Sequence, residues 1–204
     1  MIAEAGDCDV VVLPECLNYG WTHPSALGTA PPIPGPQSDR LIRAAMDAKL
    51  WVAAGLVEAD ANQLYNAAVL ISPQGNIVLK HRKINELNIA EDLYCLGTSL
   101  AVAKTPVGIL GINICADNFP DSLELAGAMG RMGCELLLSP CAWAVDADHD
   151  NECEPYGGLW IDSYTQLARE RRLTVIGVSN VGWLEAGPWK GRQCIGCSLA
   201  VGPG

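Results

Sequence analysis

Three short segments of this 204-residue chain each set a reactive side chain at the end of an apolar run. In the first, Glu15 follows Asp9 to Pro14 (DVVVLP), a β-branched run that reads as a buried strand ended by its proline. A carboxylate drawn out of water at such a place is the stronger base. The ordinary alternative is a loop acid held in an ion pair. In the second, Lys80-His81-Arg82-Lys83 crowds three cations into four residues, which by itself reads as a solvated basic face. Lys83, however, closes the run and falls on the apolar side with Ile84 and Leu87. In the third, Gly108 to Pro120 (GILGINICADNFP), Cys115 ends a glycine-bearing strand before a tight turn and a helix. That form exposes a sulfur and aims the backbone N–H of Ala116 at the spot where an oxyanion would form. Most cysteines, in contrast, are small buried hydrophobes.

Taken together, the three residue types define one chemistry. A thiol needs a base to become a nucleophile and a cation to favour its thiolate. Acyl transfer also needs donors for the tetrahedral oxyanion. Glu15, Lys83, Cys115 and the Ala116 N–H supply these roles without a histidine. Trp143, just after another apolar run, is a candidate wall of the substrate pocket, with core packing as the plain alternative.

The segments VVVLPE, HRKINEL and GINICADNFP resemble the three catalytic motifs of the nitrilase (carbon–nitrogen hydrolase) superfamily, in that family's order. The later segments LLLSPCAW and VIGVSN are similar to its subsequent strands, so the resemblance runs from Asp9 to Val201. It implies a four-layer α-β-β-α sandwich and hydrolysis of a non-peptide C–N bond in an amide, carbamoyl amine or nitrile, through a Cys thioester. By position, Glu15 matches the family's base, Lys83 its lysine and Cys115 its nucleophile. Many members carry a second glutamate after the lysine. Glu91 has the spacing of the amidase branches, whereas Glu86 sits too close to Lys83. The resemblance implies a small-molecule substrate, no cofactor, and assembly into homodimers or larger homo-oligomers. Two departures stand out. The family normally extends beyond both ends of this chain, so residues 1–204 are expected to be a partial single domain with open, aggregation-prone sheet edges. Asp121 also stands where a glutamate often follows the proline of the third motif.

The elements that must position these groups alternate between strand and helix. Asp39 to Leu50 has helical periodicity with Asp39 as its expected N-cap. Trp51 to Val57 reads as a strand. Ala67 to Ile71 and Asn76 to Leu79 flank the turn signal Ser72-Pro73-Gln74-Gly75 and predict a hairpin. Val107 to Cys115, Glu135 to Ser139, Leu173 to Ser179 and Cys194 to Val201 read as strands. Ser122 to Met132 and Gly158 to Arg172 read as helices. The class is α/β with a mixed sheet system.

Composition removes several other functions. Acidic residues outnumber basic ones by 23 to 13, a net charge of -10, which repels phosphates and argues against nucleic acid or an anionic membrane as partner. No run of 18 apolar residues occurs, and the first residues lack the pattern of a signal peptide. A cytoplasmic setting with reduced thiols is therefore expected for the nine cysteines. Asp146 to Asp150 lacks the glycine and the closing glutamate of a calcium loop, and Cys194 and Cys197 form a lone pair without a second one, so no metal is expected. Two other functions compete. One is a Cys–His hydrolase of the amidotransferase type, using His81 or His149. The other is an inactive family member acting as a subunit or binding partner.

Overall fold

The computed structural model describes residues 2–204. Its strands are β1 (Val10–Val12), β2 (Trp51–Asp60), β3 (Gln63–Ile71), β4 (Ile77–Arg82), β5 (Val102–Thr105), β6 (Gly108–Ile112), β7 (Leu136–Cys141), β8 (Ala144–Val145), β9 (Thr174–Ser179), β10 (Val181–Trp183), β11 (Gln193–Ile195) and β12 (Leu199–Val201). The helices are α1 (Pro36–Ala48), α2 (Leu123–Arg131) and α3 (Gly158–Arg171). One sheet has the order β1-β2-β3-β4 and a second the order β12-β9-β7-β6-β5, while β10-β11-β8 forms a small third sheet.

The two larger sheets pack face to face. Trp51, Ala53, Ala68 and Leu70 from the first meet Leu110, Ile112 and Leu138 from the second in one buried cluster. The alternate residues of the first sheet, among them Val52, Ala54, Val69 and Ile71, bury against Ala45 and Leu41 of α1. Leu137, Cys141 and Val175 of the second sheet bury against Met129 of α2 and Trp160, Tyr164 and Leu167 of α3. Since a strand's side chains alternate between faces, coverage on both sides explains why β2 and β3 are apolar almost throughout. The layers are thus helix, sheet, sheet, helix, as the resemblance implied.

Several local expectations need correction. α1 starts at Pro36, three residues before Asp39, because Gly35 and Ser38 form the cap: Gly35 N donates to Ser38 Oγ at 2.9 Å, and Pro36 takes the first helical position. β2 runs on to Asp60 and turns through Ala61 and Asn62, both at positive φ, straight into β3. The expected strand over Cys194 to Val201 is two strands in different sheets, β11 and β12, broken at Gly196 and Cys197, which both have positive φ. Strands β5, β8 and β10 have little hydrophobic patterning and were not legible.

Candidate active site

Glu15, Lys83 and Cys115 come from three strand ends and line one narrow cavity of about 50 Å³, walled by Trp21, Phe119, Trp143, Tyr156, Trp160 and Trp189. Glu15 follows β1. Its backbone N–H donates to Cys141 O at 3.2 Å and its carbonyl accepts from Asn180 Nδ2 at 2.8 Å, so both sheets hold it. Gly55 on β2 makes this possible, because a Cβ there would lie 2.5 Å from the Glu15 Cα.

Lys83 lies one residue past β4. Alternation along that strand sorts the basic run. Lys80 and Arg82 face outward to Glu58 at 2.6 and 2.7 Å, while His81 and Lys83 are buried. The Lys83 ammonium, 2% exposed, lies 2.9 Å from Glu15 Oε1 and 3.4 Å from Glu86 Oε2. Burial opposes its charge, but Glu15 and Glu86 more than offset this, and its pKa is raised well above the ordinary lysine value.

Cys115 ends the loop after β6 with φ 45°, the left-handed region that costs a side-chain-bearing residue strain. The strain is held in place locally. Cys115 N donates to Ser139 Oγ at 3.2 Å, and Asn118 Nδ2 donates to the same oxygen at 3.0 Å. Ala116 is the second residue of the 3-10 turn Cys115–Asn118, where the first amide hydrogens have no partner within the turn. A hydrogen bond with Cys141, burial and the Glu15 charge push the Cys115 thiol well up, with Lys83 pulling the other way. A thiol shifted in this direction needs a base if it is to act as a nucleophile.

Asp117 locks the lysine loop to the nucleophile turn. Its Oδ1 accepts from Ile84 N at 3.0 Å and Asn85 N at 2.8 Å, and its Oδ2 from Ile114 N at 2.9 Å. His81 Nε2 lies 2.8 Å from Asp117 Oδ2, which commits that ring to the lock. Among the described residues no histidine lines the cavity. His149 instead lines a separate acidic cavity with Asp146, Asp148 and Asp150.

The second acid is not where its spacing suggested. Glu91 is exposed at the end of the 3-10 turn Asn88–Ala90, away from the cavity. Glu86, set aside as too close to Lys83, is the buried carboxylate against it. The reason is the Asp117 lock: with the Ile84 and Asn85 amides tied down, the chain curls and returns Glu86 to the lysine. Burial raises the Glu86 pKa to about 7, with Lys83 opposing and Glu15 adding to the rise. Neither Glu86 oxygen has a hydrogen-bond partner among the described residues.

A pH dependence of stability follows. The folded state holds a Glu86 proton that the unfolded chain releases at its ordinary 4.5, so this contribution is lost as pH rises through about 7. Its size is on the order of 3 kcal/mol. Glu86→Gln should therefore show a smaller loss of stability between pH 5 and pH 8 than the wild type in denaturant melts. Parallel pH dependences in the two proteins would contradict this.

The carbon–nitrogen hydrolase family model matches residues 1–203. This chain belongs to the carbon–nitrogen hydrolase family. It is 31% identical over 156 residues to omega-amidase NIT2 of Xenopus tropicalis, covering 70% of this chain and 55% of that protein. It is 27% identical over 199 residues to the bifunctional nitrilase/nitrile hydratase NIT4A of Lupinus angustifolius, covering 84% of this chain and 56% of that one. The chain thus spans about half the length of these curated relatives. A carbon–nitrogen hydrolase from Helicobacter pylori G27 superposes with a TM-score of 0.82 at 24% identity, over 96% of this chain and 70% of that one. A single-residue variant of the amidase from Nesterenkonia sp. AN1 superposes with a TM-score of 0.79 at 19% identity, over 99% and 73%. It bears a covalent acetamide moiety at its active-site cysteine.

In this family member, local pattern does not assign three residues at the candidate site. Spacing along the chain argues against Glu86. Asp117 lies inside the third motif with no role that its neighbours reveal. Asn66 had a visible signal: an amide inside the otherwise apolar run Leu64 to Ile71 must find a partner when buried. Trp143 is both cavity wall and core, stacked on Trp160 with ring centroids 4.7 Å apart. Among the described residues, no helix is long and apolar enough to cross a membrane.

Proposed function

We propose that this chain carries the active site of a thiol hydrolase that cleaves small amides. Glu15 takes the Cys115 proton, and the thiolate sulfur adds to the carbonyl carbon. The Lys83 ammonium and the Ala116 N–H receive the oxyanion, the role that most lowers such a barrier. When the intermediate collapses, the C–N bond breaks and the nitrogen leaves with the proton held by Glu15. Glu15 then deprotonates water, which adds to the thioester and releases the acid and Cys115. Glu86, with a pKa of about 7, is placed to exchange a proton through this cycle, the part first assigned to Glu91.

The observation that carries this reading is the 2.9 Å pair of Glu15 and Lys83 in the same cavity as Cys115. The cavity's size and aromatic walls suit a small acyl group. Trp21 and Trp143, both in the cavity wall, each hold a buried indole N–H that has no acceptor among the described residues. The test is ammonia release from a panel of small amides, carbamoyl amines and nitriles, comparing wild type with Glu15→Gln. Removing a positioned base should cost at least about 10³-fold. A fully active Glu15→Gln would overturn the mechanism, and a preference for nitriles would overturn the substrate class.

A further inference from the structure

We propose that Asn66 is a positioning residue that sets which oxygen of Glu15 acts as the base, and that the Cys16 thiol in turn sets the orientation of Asn66. The inference rests on the reading of Glu15 given above. Asn66 is fully buried on β3, where its neighbours Ala67 to Ile71 serve the apolar core. Its position is dictated by the ladder: it pairs with Val57 of β2, and on its other side its carbonyl accepts from Lys83 N at 2.8 Å. One residue therefore fixes the backbone of Lys83 and reaches the side chain of Glu15.

The side-chain bonds divide the carboxylate. Asn66 Nδ2 donates to Glu15 Oε1 at 2.6 Å, and Lys83 Nζ donates to the same oxygen at 2.9 Å. With Oε1 taken by two donors, Oε2 is the oxygen left to accept the Cys115 proton. An asparagine amide can face either way, and the wrong way would set its carbonyl oxygen against the carboxylate. Cys16 prevents this, since its thiol donates to Asn66 Oδ1 at 3.4 Å. Cys16 is itself held at positive φ, fully buried, with Tyr94 Oη 4.0 Å away. Burial, then Glu15 and Glu86, push its pKa well up, so it stays a neutral donor.

Loss of the Asn66 donor should let Glu15 hold its proton more tightly, since hydrogen bonds to the ionised form favour that form. The base would then be free only at higher pH, and the acid limb of the kcat/KM profile moves up.

The test begins with wild type and Glu15→Gln: activity in the first and loss in the second secure the reading of the site. Asn66→Leu should then lower kcat by about 10- to 100-fold with KM changed less than about 3-fold, and raise the acid limb by about one pH unit. The rate of Cys115 alkylation by iodoacetamide, followed on its own peptide by mass spectrometry, should shift with pH in the same direction without any turnover. Cys16→Ala should move the limb the same way, and Cys16→Ser, which keeps a donor, should return it toward wild type. This pair decides the matter even if Asn66→Leu does not fold. Unmoved acid limbs, with activity falling only as the folded fraction falls, would overturn the positioning role and leave the reading of Glu15 standing. An active Glu15→Gln would instead overturn that reading.

Discussion

Cys115→Ala should abolish ammonia release, by at least about 10⁴-fold, while leaving the fold intact. The size follows from the role: with no sulfur there is no thioester, and only binding and the oxyanion donors remain to act on water. The small effect on stability follows from the backbone. Cys115 is half-buried and sits at φ 45°, and alanine there bears the same strain as cysteine. Glycine has no Cβ to strain, so Cys115→Gly should be inactive and no less stable than Cys115→Ala. Kinetics and thermal melts of the two variants check both halves. On the wild type, rapid quenching with a slow amide should show one acyl group on the peptide that carries Cys115. An acyl group found elsewhere, or residual activity in Cys115→Ala near the wild-type level, would sink the covalent mechanism.

Lys83→Met should cost both activity and stability. The ammonium lies between the buried carboxyl groups of Glu15 and Glu86, so its removal leaves their negative charge, which grows as pH rises, without a partner out of water. Breaking a buried ion pair from one side is worth about 3–5 kcal/mol, and loss of the oxyanion cation adds a fall of at least about 10³-fold in kcat/KM. The sign with pH is specific. In the variant the unpaired carboxylates are buried at least cost when protonated, so their folded-state proton affinity exceeds that of the unfolded chain. The penalty relative to wild type should then be smallest near pH 5 and grow toward pH 8. Urea melts at the two pH values would show it. A penalty that is equal at both would mean that Lys83 serves packing alone. Lys83→Arg should not rescue activity, because a planar guanidinium cannot occupy the ammonium's place between the two acids.

The contrast between Glu91 and Glu86 shows how far local pattern reaches. Spacing along the chain predicts where a carboxylate lies only while the chain stays regular. Past β4 it does not, because Asp117, 33 residues from Ile84, captures that amide and the next and bends the segment back. No window of sequence around Lys83 contains that information. α1 differs in kind: its cap is local, in Gly35, Pro36 and Ser38, and Asp39 competes for that role only as the more familiar cap residue.

The sequence by itself determined the family, the alternation of strands and helices, and the three strand ends that carry Glu15, Lys83 and Cys115. These rest on periodicity, on turn residues and on motifs a few residues long, which are properties of neighbours in the chain. The tertiary structure alone decided which second acid faces the lysine, that Asn66 bonds Glu15 and Cys16 bonds Asn66, that His81 pairs with Asp117, and that Cys194 lies in β11 while Cys197 falls in the break before β12. Each of those depends on groups brought together from distant segments, where burial makes an unmet polar group costly and so selects the one arrangement that pairs it.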